Sequence, residues 1–91
     1  MIMKKPRELE RIVKGFSNHW RIDILILLKK NPEMSVDEVT SNLKMNVKTA
    51  SEHLRRLAIA GLVLKRYEGN CVRHKLTLRA ESILKFLRIL E

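Results

Sequence analysis

Apolar residues in the first half of the chain recur at helical spacing. In residues 7–16 they lie at positions i, i+3, i+4 and i+7, which form one face of an amphipathic helix. Residues 19–30 are apolar almost all round, which predicts a buried central helix. A buried strand over residues 22–28 is the competing assignment. We favour the helix because the apolar run ends in two lysines followed by Asn31-Pro32, which is typical of a helix stop.

Two further helices follow, separated by a short break. Ser35 and Glu38 have the spacing of a capping box and predict a helix of about two turns over residues 36–43. Asn46 is a good N-cap for a helix over residues 47–60. The apolar face of that helix comprises Val47, Ala50, Leu54, Leu57 and Ala58. Its opposite, mostly cationic face comprises Lys48, Thr49, Glu52, Arg55 and Arg56.

The last third of the chain predicts a hairpin and a final helix. Gly61 suits a left-handed C-cap of the preceding helix. Residues 62–67 and 71–76 alternate as strands do, and the Glu-Gly-Asn segment between them has hairpin-turn chemistry. On the second strand Val72, His74, Leu76 and Leu78 are expected to share one face. A helix over residues 79–90 carries six apolar positions, a wider face than one small core covers.

Length and composition narrow the class of protein. Ninety-one residues, 45% of them hydrophobic and 4% aromatic, suit a single domain over residues 1–91 with an aliphatic core. No apolar run reaches the 18 residues of a membrane span, so no membrane partner is expected. A single cysteine excludes an internal disulfide, and we expect a cytoplasmic protein. The sequence shows no paired carboxylates, no catalytic triad order and no phosphate-binding loop, so we do not expect an enzyme.

Charge points to a polyanionic partner. The chain carries 19 Lys and Arg against 10 Asp and Glu, a net charge of +9. Residues 44–75 hold eight of these basic residues and only two acidic ones, which gives +6 over 32 residues. The remaining 59 residues carry eleven basic and eight acidic residues, which gives +3. The middle of the chain is therefore where nucleic acid is expected to bind.

Two helices around a short break, followed by a basic hairpin, predict a winged helix-turn-helix. The fold class is α+β, mostly helical, with a two-stranded basic wing. Helix 47–60 is expected in the major groove of DNA, and the wing, residues 64–75, on the flanking backbone or minor groove. The predicted DNA-binding residues are Asn46, Lys48, Thr49, Ser51, Glu52, His53, Arg55, Arg56, Lys65, Arg66, Arg73 and Lys75.

Some of these side chains have two interpretations. Glu52 either accepts from a cytosine amino group or pairs with Lys48 or Arg56 one helical turn away. His53 is either a packed boundary residue or a phosphate contact. His74 is expected to be a half-buried strand residue rather than a ligand.

Five segments resemble the ArsR-type winged-helix transcriptional regulators, the last of them being Glu68-Gly69 at the wing. Residues 17–25 are similar to that family's S-[DN]-x-x-R-x-x-I-L segment, and residues 35–39 to S-V-x-E-L. Residues 49–57 are similar to [ST]-V-S-x-H-L-x-x-L, and residues 60–63 read A-G-L-V. The resemblance implies a homodimer that binds a palindromic operator, and we expect a repressor, although no residue separates repression from activation.

The family also implies where the dimer forms and what it senses. The implied interface uses the first and last helices, through Leu9, Ile12, Val13, Phe16, Ile83, Leu84, Phe86, Leu87 and Leu90. The family's metal sites need thiols in the first helix of the helix-turn-helix or histidines in the last helix. Residues 36–39 contain no cysteine and residues 79–90 contain no histidine, so we expect no metal effector. The sequence shows no signature of a ligand pocket, and we expect no cofactor and no small-molecule effector. The alternative function is a winged-helix protein-interaction module of a transcription or assembly complex.

Overall fold

The structure, a computed structural model, describes residues 4–91; residues 1–3 of the predicted domain lie outside the described part. This part contains five helices and three strands. They are α1 (Pro6–Phe16), α2 (His19–Lys30), β1 (Met34–Ser35), α3 (Val36–Leu43), α4 (Val47–Ile59), β2 (Val63–Glu68), β3 (Cys71–Leu76) and α5 (Leu78–Ile89). Each predicted element is present with boundaries within one residue of its prediction, so the α+β fold class is confirmed. None of the described helices is long and apolar enough to cross a membrane.

Side-chain caps fix where most of the helices begin. The Asn18 side chain accepts hydrogen bonds from two backbone N–H groups in the first turn of α2, and Asn46 does the same for α4. Ser35 and Glu38 form both hydrogen bonds of the predicted capping box at α3. Thr77 accepts from a backbone N–H of α5. These caps satisfy backbone donors that would otherwise lack partners.

The helix-turn-helix passes into the wing through a Schellman turn. Gly61 has a φ of 76°, its N–H donates to the Ala58 carbonyl, and the Leu62 N–H donates to the Leu57 carbonyl. This is the pattern in which glycine takes the left-handed position after a helix. The predicted glycine C-cap is confirmed, and the turn directs the chain from α4 into β2.

The sheet has one more strand than the sequence predicted. The hairpin of β2 and β3 pairs antiparallel, and β1 adds to the free side of β3, with Met34 opposite His74 and Ser35 opposite Arg73. The two-stranded wing is confirmed, and β1 is the strand of the sheet that the sequence did not predict. A strand of two residues is too short to show alternation, and its pairing depends on partners 38 and 40 residues away in the sequence.

The core is aliphatic and α2 runs through it. Ile24, Leu25 and Leu28 of α2 are fully buried, which excludes the competing strand assignment. Helix α2 contacts all four other helices and β3. His74 is 2% exposed rather than half-buried, and its Nδ1 lies 3.0 Å from the Met34 carbonyl oxygen. The sequence underestimated this burial because it did not predict β1, whose Met34 carbonyl is the hydrogen-bond partner of the ring.

Three apolar residues lie where the sequence did not place them. Phe16, predicted in a dimer interface, is 5% exposed and belongs to the core of its own protomer. Phe16 is the last residue of α1, where the chain turns into α2, and its side chain points inward. Val47, predicted on the inner face of α4, is exposed because it occupies the first position of the helix. Leu78 is exposed as the first residue of α5, not part of the face of β3.

Candidate nucleic-acid interface

Helices α3 and α4 form the helix-turn-helix. Helix α3 ends at Leu43, its C-cap Lys44 has a left-handed φ of 54°, and α4 begins three residues after Lys44. Ala50, Leu54 and Leu57 are buried, so the opposite face of α4 is turned to solvent. This arrangement leaves α4 free on the side that a major groove would contact.

The exposed face of α4 contains a three-residue ion-pair cluster. Arg55 donates to both carboxylate oxygens of Glu52, at 3.0 and 2.7 Å, and Arg56 Nε donates to Oε1 at 3.0 Å. These hydrogen bonds lower the pKa of Glu52 to about 2, so the carboxylate is ionised at neutral pH. The prediction that Glu52 pairs within its helix is confirmed for Arg56, and Arg55 at i+3 is a second partner. The remaining exposed members of the predicted set on this helix and its cap are Asn46, Lys48, Thr49 and Ser51.

His53 is partly buried at the edge of this face. Its Nδ1 accepts a hydrogen bond of 3.1 Å from Arg21 Nε on α2. Burial, followed by the positive charge of Arg21, lowers the pKa of His53. The side chain is thus a packed boundary residue in this protomer, and its contact with phosphate stays a prediction. Arg21 was not among the predicted site residues, although it is the arginine of the S-[DN]-x-x-R segment.

The wing arginines are held by carboxylates of the same protomer. Arg66 and Arg73 lie opposite each other on adjacent strands, where like charges repel. Arg66 pairs with Glu33 and, at 2.8 Å, with Glu68; Arg73 pairs with Glu38 at 3.1 Å and with Glu68 at 3.9 Å. The hydrogen bond from Arg66 lowers the pKa of Glu33. These arginines therefore brace the wing against the segments that flank β1.

Three predicted lysines remain available to a polyanion. Lys48 on α4 and Lys65 and Lys75 on the hairpin are exposed, and within residues 4–91 none lies within 4.0 Å of a carboxylate. Lys75 shares the wing face of the paired arginines, whereas Lys65 lies on the face of His74. The two hairpin lysines therefore project from opposite faces of the wing.

The terminal helices present apolar surface to solvent. Leu9 and Val13 on α1, Phe86 on α5 and Leu90 at the C-cap of α5 are exposed, Phe86 at 51%. Ile12 is partly exposed, and Ile83, Leu84 and Leu87 are partly buried against the core of their own protomer. Ile89, 78% exposed, is an apolar α5 residue that the predicted interface omitted. Its helical spacing from Phe86 was a signal that could have included it.

Comparison with known proteins identifies the family. Residues 19–65, more than half of the chain, match the model of the bacterial regulatory protein, arsR family. The chain belongs to the ArsR family. It is 39% identical over 67 residues to an uncharacterized HTH-type transcriptional regulator of Methanocaldococcus jannaschii, covering 74% of this chain and 75% of that one. It is also 30% identical over 73 residues to a cadmium resistance transcriptional regulatory protein CadC homolog of Staphylococcus aureus, covering 80% of this chain and 60% of that one.

Solved structures agree with this assignment. HlyU of Vibrio cholerae superposes with a TM-score of 0.82 at 30% identity, covering 98% of this chain and 97% of that one. A homodimeric winged helix-turn-helix DNA-binding domain from Mycobacterium bovis superposes with a TM-score of 0.83 at 26% identity, covering 99% and 89%. This ArsR-family protein is a winged helix-turn-helix transcriptional regulator that binds DNA, and its relatives are regulators rather than enzymes.

Within the described residues no group of three or more His, Cys, Asp and Glu side chains is arranged to hold an ion. Cys71 and His74 lie on opposite faces of β3, as alternation requires, so they do not converge on one ligand. The absence of a metal effector stays a prediction.

Proposed function

We propose that the protein binds a palindromic operator as a homodimer and acts as a repressor, with residues 1–91 functioning as one domain. The observation that carries this proposal is the exposed cationic face of α4 on a helix whose other side is fixed in the core. An α-helix with its side chains fits the major groove of B-DNA, and its donors reach phosphates and base edges there.

The contacts on α4 fall into two groups. Lys48 is unpaired among the described residues and supplies a charge for a phosphate, with Asn46, Thr49 and Ser51 as short polar contacts. Arg55 and Arg56 are pre-oriented by Glu52, which holds their guanidinium groups on the outer face. A guanidinium that reads guanine exchanges the carboxylate for the base edge.

The wing contributes charge through its lysines. Lys65 and Lys75 lie on opposite faces of the hairpin, so the wing carries a positive charge on each side for flanking phosphates. Arg66 and Arg73 act chiefly by holding the hairpin to Glu33 and Glu38, and they reach DNA only where phosphates displace those carboxylates.

The dimer forms through the exposed apolar residues of α1 and α5. Leu9, Val13, Phe86 and Leu90 would be covered by the partner, together with the exposed parts of Ile12, Ile83, Leu84 and Leu87. A monomer would leave this apolar surface of the two terminal helices in water. The homodimeric Mycobacterium bovis domain supports the same assembly here. Two-fold symmetry then matches the symmetry of a palindromic operator.

We propose that no metal controls this protein, although the Staphylococcus aureus relative is named for cadmium resistance. Residues 36–39 offer no thiol and α5 offers no histidine. Soft metals bind thiolates and imidazoles, so the usual ligands are missing. DNA affinity should be equal in excess zinc, in excess cadmium and in chelator. A loss of affinity on adding either metal would contradict this proposal.

A mobility-shift titration tests the function. The probe is the DNA upstream of the protein's own gene, at two salt concentrations, with scrambled duplex as competitor. We expect retention that survives the competitor. Arg56→Ala should weaken binding roughly 5- to 150-fold if the arginine reads a base. Arg7→Ala, which removes an equal charge from α1, is the matched control. Binding that vanishes with competitor would favour the protein-interaction alternative.

Sedimentation tests the dimer. Phe86→Glu should shift the protein toward monomer, because a carboxylate in an apolar interface loses its hydration. Ser41→Glu adds the same charge to the exposed surface of α3 and should leave the dimer intact. A wild-type protein that sediments as a monomer at micromolar concentration would refute the proposed assembly.

A further inference from the structure

One guanidinium joins three helices at the edge of the interface. Arg21, in the first turn of α2, donates from Nη1 to the carbonyl oxygens of Lys14 and Gly15 in the last turn of α1, at 3.2 and 3.3 Å. Its Nε donates to His53 Nδ1 on α4 at 3.1 Å. The side chain is partly buried, so these bonds replace hydration and fix its orientation.

The end of α1 also touches α4 directly. A Cβ added to Gly15 would lie 2.3 Å from the Cβ of Ala60 at the C-cap of α4, which is much closer than two carbon atoms approach without overlap. Glycine is therefore what allows the two helices to meet at this point. The Arg21 bridge and the Gly15 contact are separate links between the same two helices.

The Arg21 bond determines the protonation of His53. A guanidinium only donates, so Nδ1 must be the unprotonated acceptor and the ring hydrogen lies on Nε2. Protonation of Nδ1 would set two donors against each other. The groups that act on the His53 pKa are consistent with a neutral ring: burial, Arg21 and His19 lower it, and only Glu52 raises it.

We infer that Arg21 is a positioning residue for DNA binding, which holds α4 against the end of α1 and keeps His53 as its Nε2–H tautomer. The inference rests on the proposed function, in which α4 contacts DNA and α1 contributes to the dimer. Under that function the bridge connects the dimer-forming helix to the recognition helix. DNA affinity then depends on a side chain that does not itself touch DNA.

Nitrogen-15 NMR of the histidines tests the bridge in the wild-type dimer without DNA. At neutral pH His53 should show a protonated Nε2 and an unprotonated Nδ1. In Arg21→Ala the two tautomers should mix and the pKa of His53 should rise, since the positive charge that lowers it most is gone. A wild-type His53 that carries its hydrogen on Nδ1, or is charged at pH 7, would overturn the inference whether or not any variant folds.

DNA binding separates positioning from direct contact. We expect Arg21→Ala and Arg21→Lys each to weaken operator binding by about three- to thirtyfold, within the usual range of coupled contacts. The salt dependence should stay that of the wild type, because no phosphate contact is lost. A different result would identify Arg21 as a phosphate contact and overturn the inference. In that case Arg21→Lys would bind DNA like wild type, and Arg21→Ala would reduce the slope of log K against log salt by about 0.9.

A double variant completes the test. Once His53→Ala has removed the acceptor, adding Arg21→Ala should cost less affinity than it does alone. If Arg21→Ala lowered DNA affinity equally in the wild type and in His53→Ala, coupling through His53 would be contradicted. Arg11→Ala on α1 is the control for loss of an arginine. If wild-type protein fails to bind DNA specifically, the proposed function fails, and the NMR result still decides whether the bridge exists.

Discussion

Glu52→Gln removes the one negative charge from the proposed recognition face. In the structure that carboxylate holds Arg55 through two hydrogen bonds and Arg56 through one. The four charged residues of α4's outer face, Lys48, Arg55 and Arg56 against Glu52, sum to +2, and the substitution raises this to +3. The fold should be unaffected, because all of these side chains are exposed and surface ion pairs contribute little to stability.

The expected gain in affinity follows from counterion release. If the added charge neutralises one more phosphate, the variant binds DNA more tightly than wild type at low salt. The gain in the logarithm of its association constant is about 0.9 for each tenfold dilution of salt below 1 M. Binding to a scrambled duplex should then strengthen about eightfold at 0.1 M salt and about fourfold at 0.2 M. Glu10→Gln on α1 makes the same change of net charge away from the face, and it controls for long-range attraction.

Mobility shifts with scrambled and upstream duplexes at both salt concentrations measure this change in affinity. Tighter binding on both duplexes, absent in Glu10→Gln, is the predicted result. Tighter binding on the scrambled duplex with weaker binding upstream would mean that Glu52 reads a cytosine. Unchanged or weaker binding on the scrambled duplex would refute the reasoning, since Arg55 and Arg56 would then not face DNA.

Four further variants test other parts of the account. Gly15→Ala should lower the free energy of unfolding by about 1–3 kcal/mol in urea titrations, because its methyl group overlaps Ala60. His74→Gln should reduce the loss of stability between pH 8 and pH 5. Burial lowers the pKa of His74, so the unfolded chain takes up a proton that the folded state refuses as pH falls below about 6.5. Lys75→Ala should reduce the salt slope of DNA binding by about 0.9, and Arg66→Ala by less, because Arg66 is already paired.

Each of these has a contrary outcome. Wild-type stability in Gly15→Ala would show that α1 is seated less closely on α4 than the structure has it. An equal pH dependence in wild type and His74→Gln would mean that the imidazole is not buried as a neutral ring. A larger loss of salt slope in Arg66→Ala than in Lys75→Ala would place the arginine, not the lysine, on the phosphates.

Local signals made the helices predictable from the sequence. The apolar run of α2, the Ser35–Glu38 capping box and the Asn46 cap are complete within a few residues, and each helix boundary agrees within one residue. Strand β1 was missed because two residues carry no period and its pairing is with β3, far along the chain. Phe16 was misassigned because spacing shows which residues share a face, but not which of them the next helix covers.

The sequence predicted where the candidate site lies, but not which of its side chains pair with one another. Net charge placed the interface in residues 44–75, and the helical wheel separated the outer face of α4 from its inner face. The pairing of Arg66 with Glu33 and of Arg73 with Glu38 was not visible, because these carboxylates lie 33 and 35 residues away in the sequence and the sheet brings them to the wing. For the same reason the bridge from Arg21 to His53 required the structure.

The most direct test of the central claim is a hydroxyl-radical footprint of the wild-type protein on the upstream DNA that it retains. A symmetric dimer with α4 in the major groove of each half-site predicts two protected segments about 10 base pairs apart, related by a two-fold axis. A single protected segment, or uniform weak protection along the duplex, would contradict it.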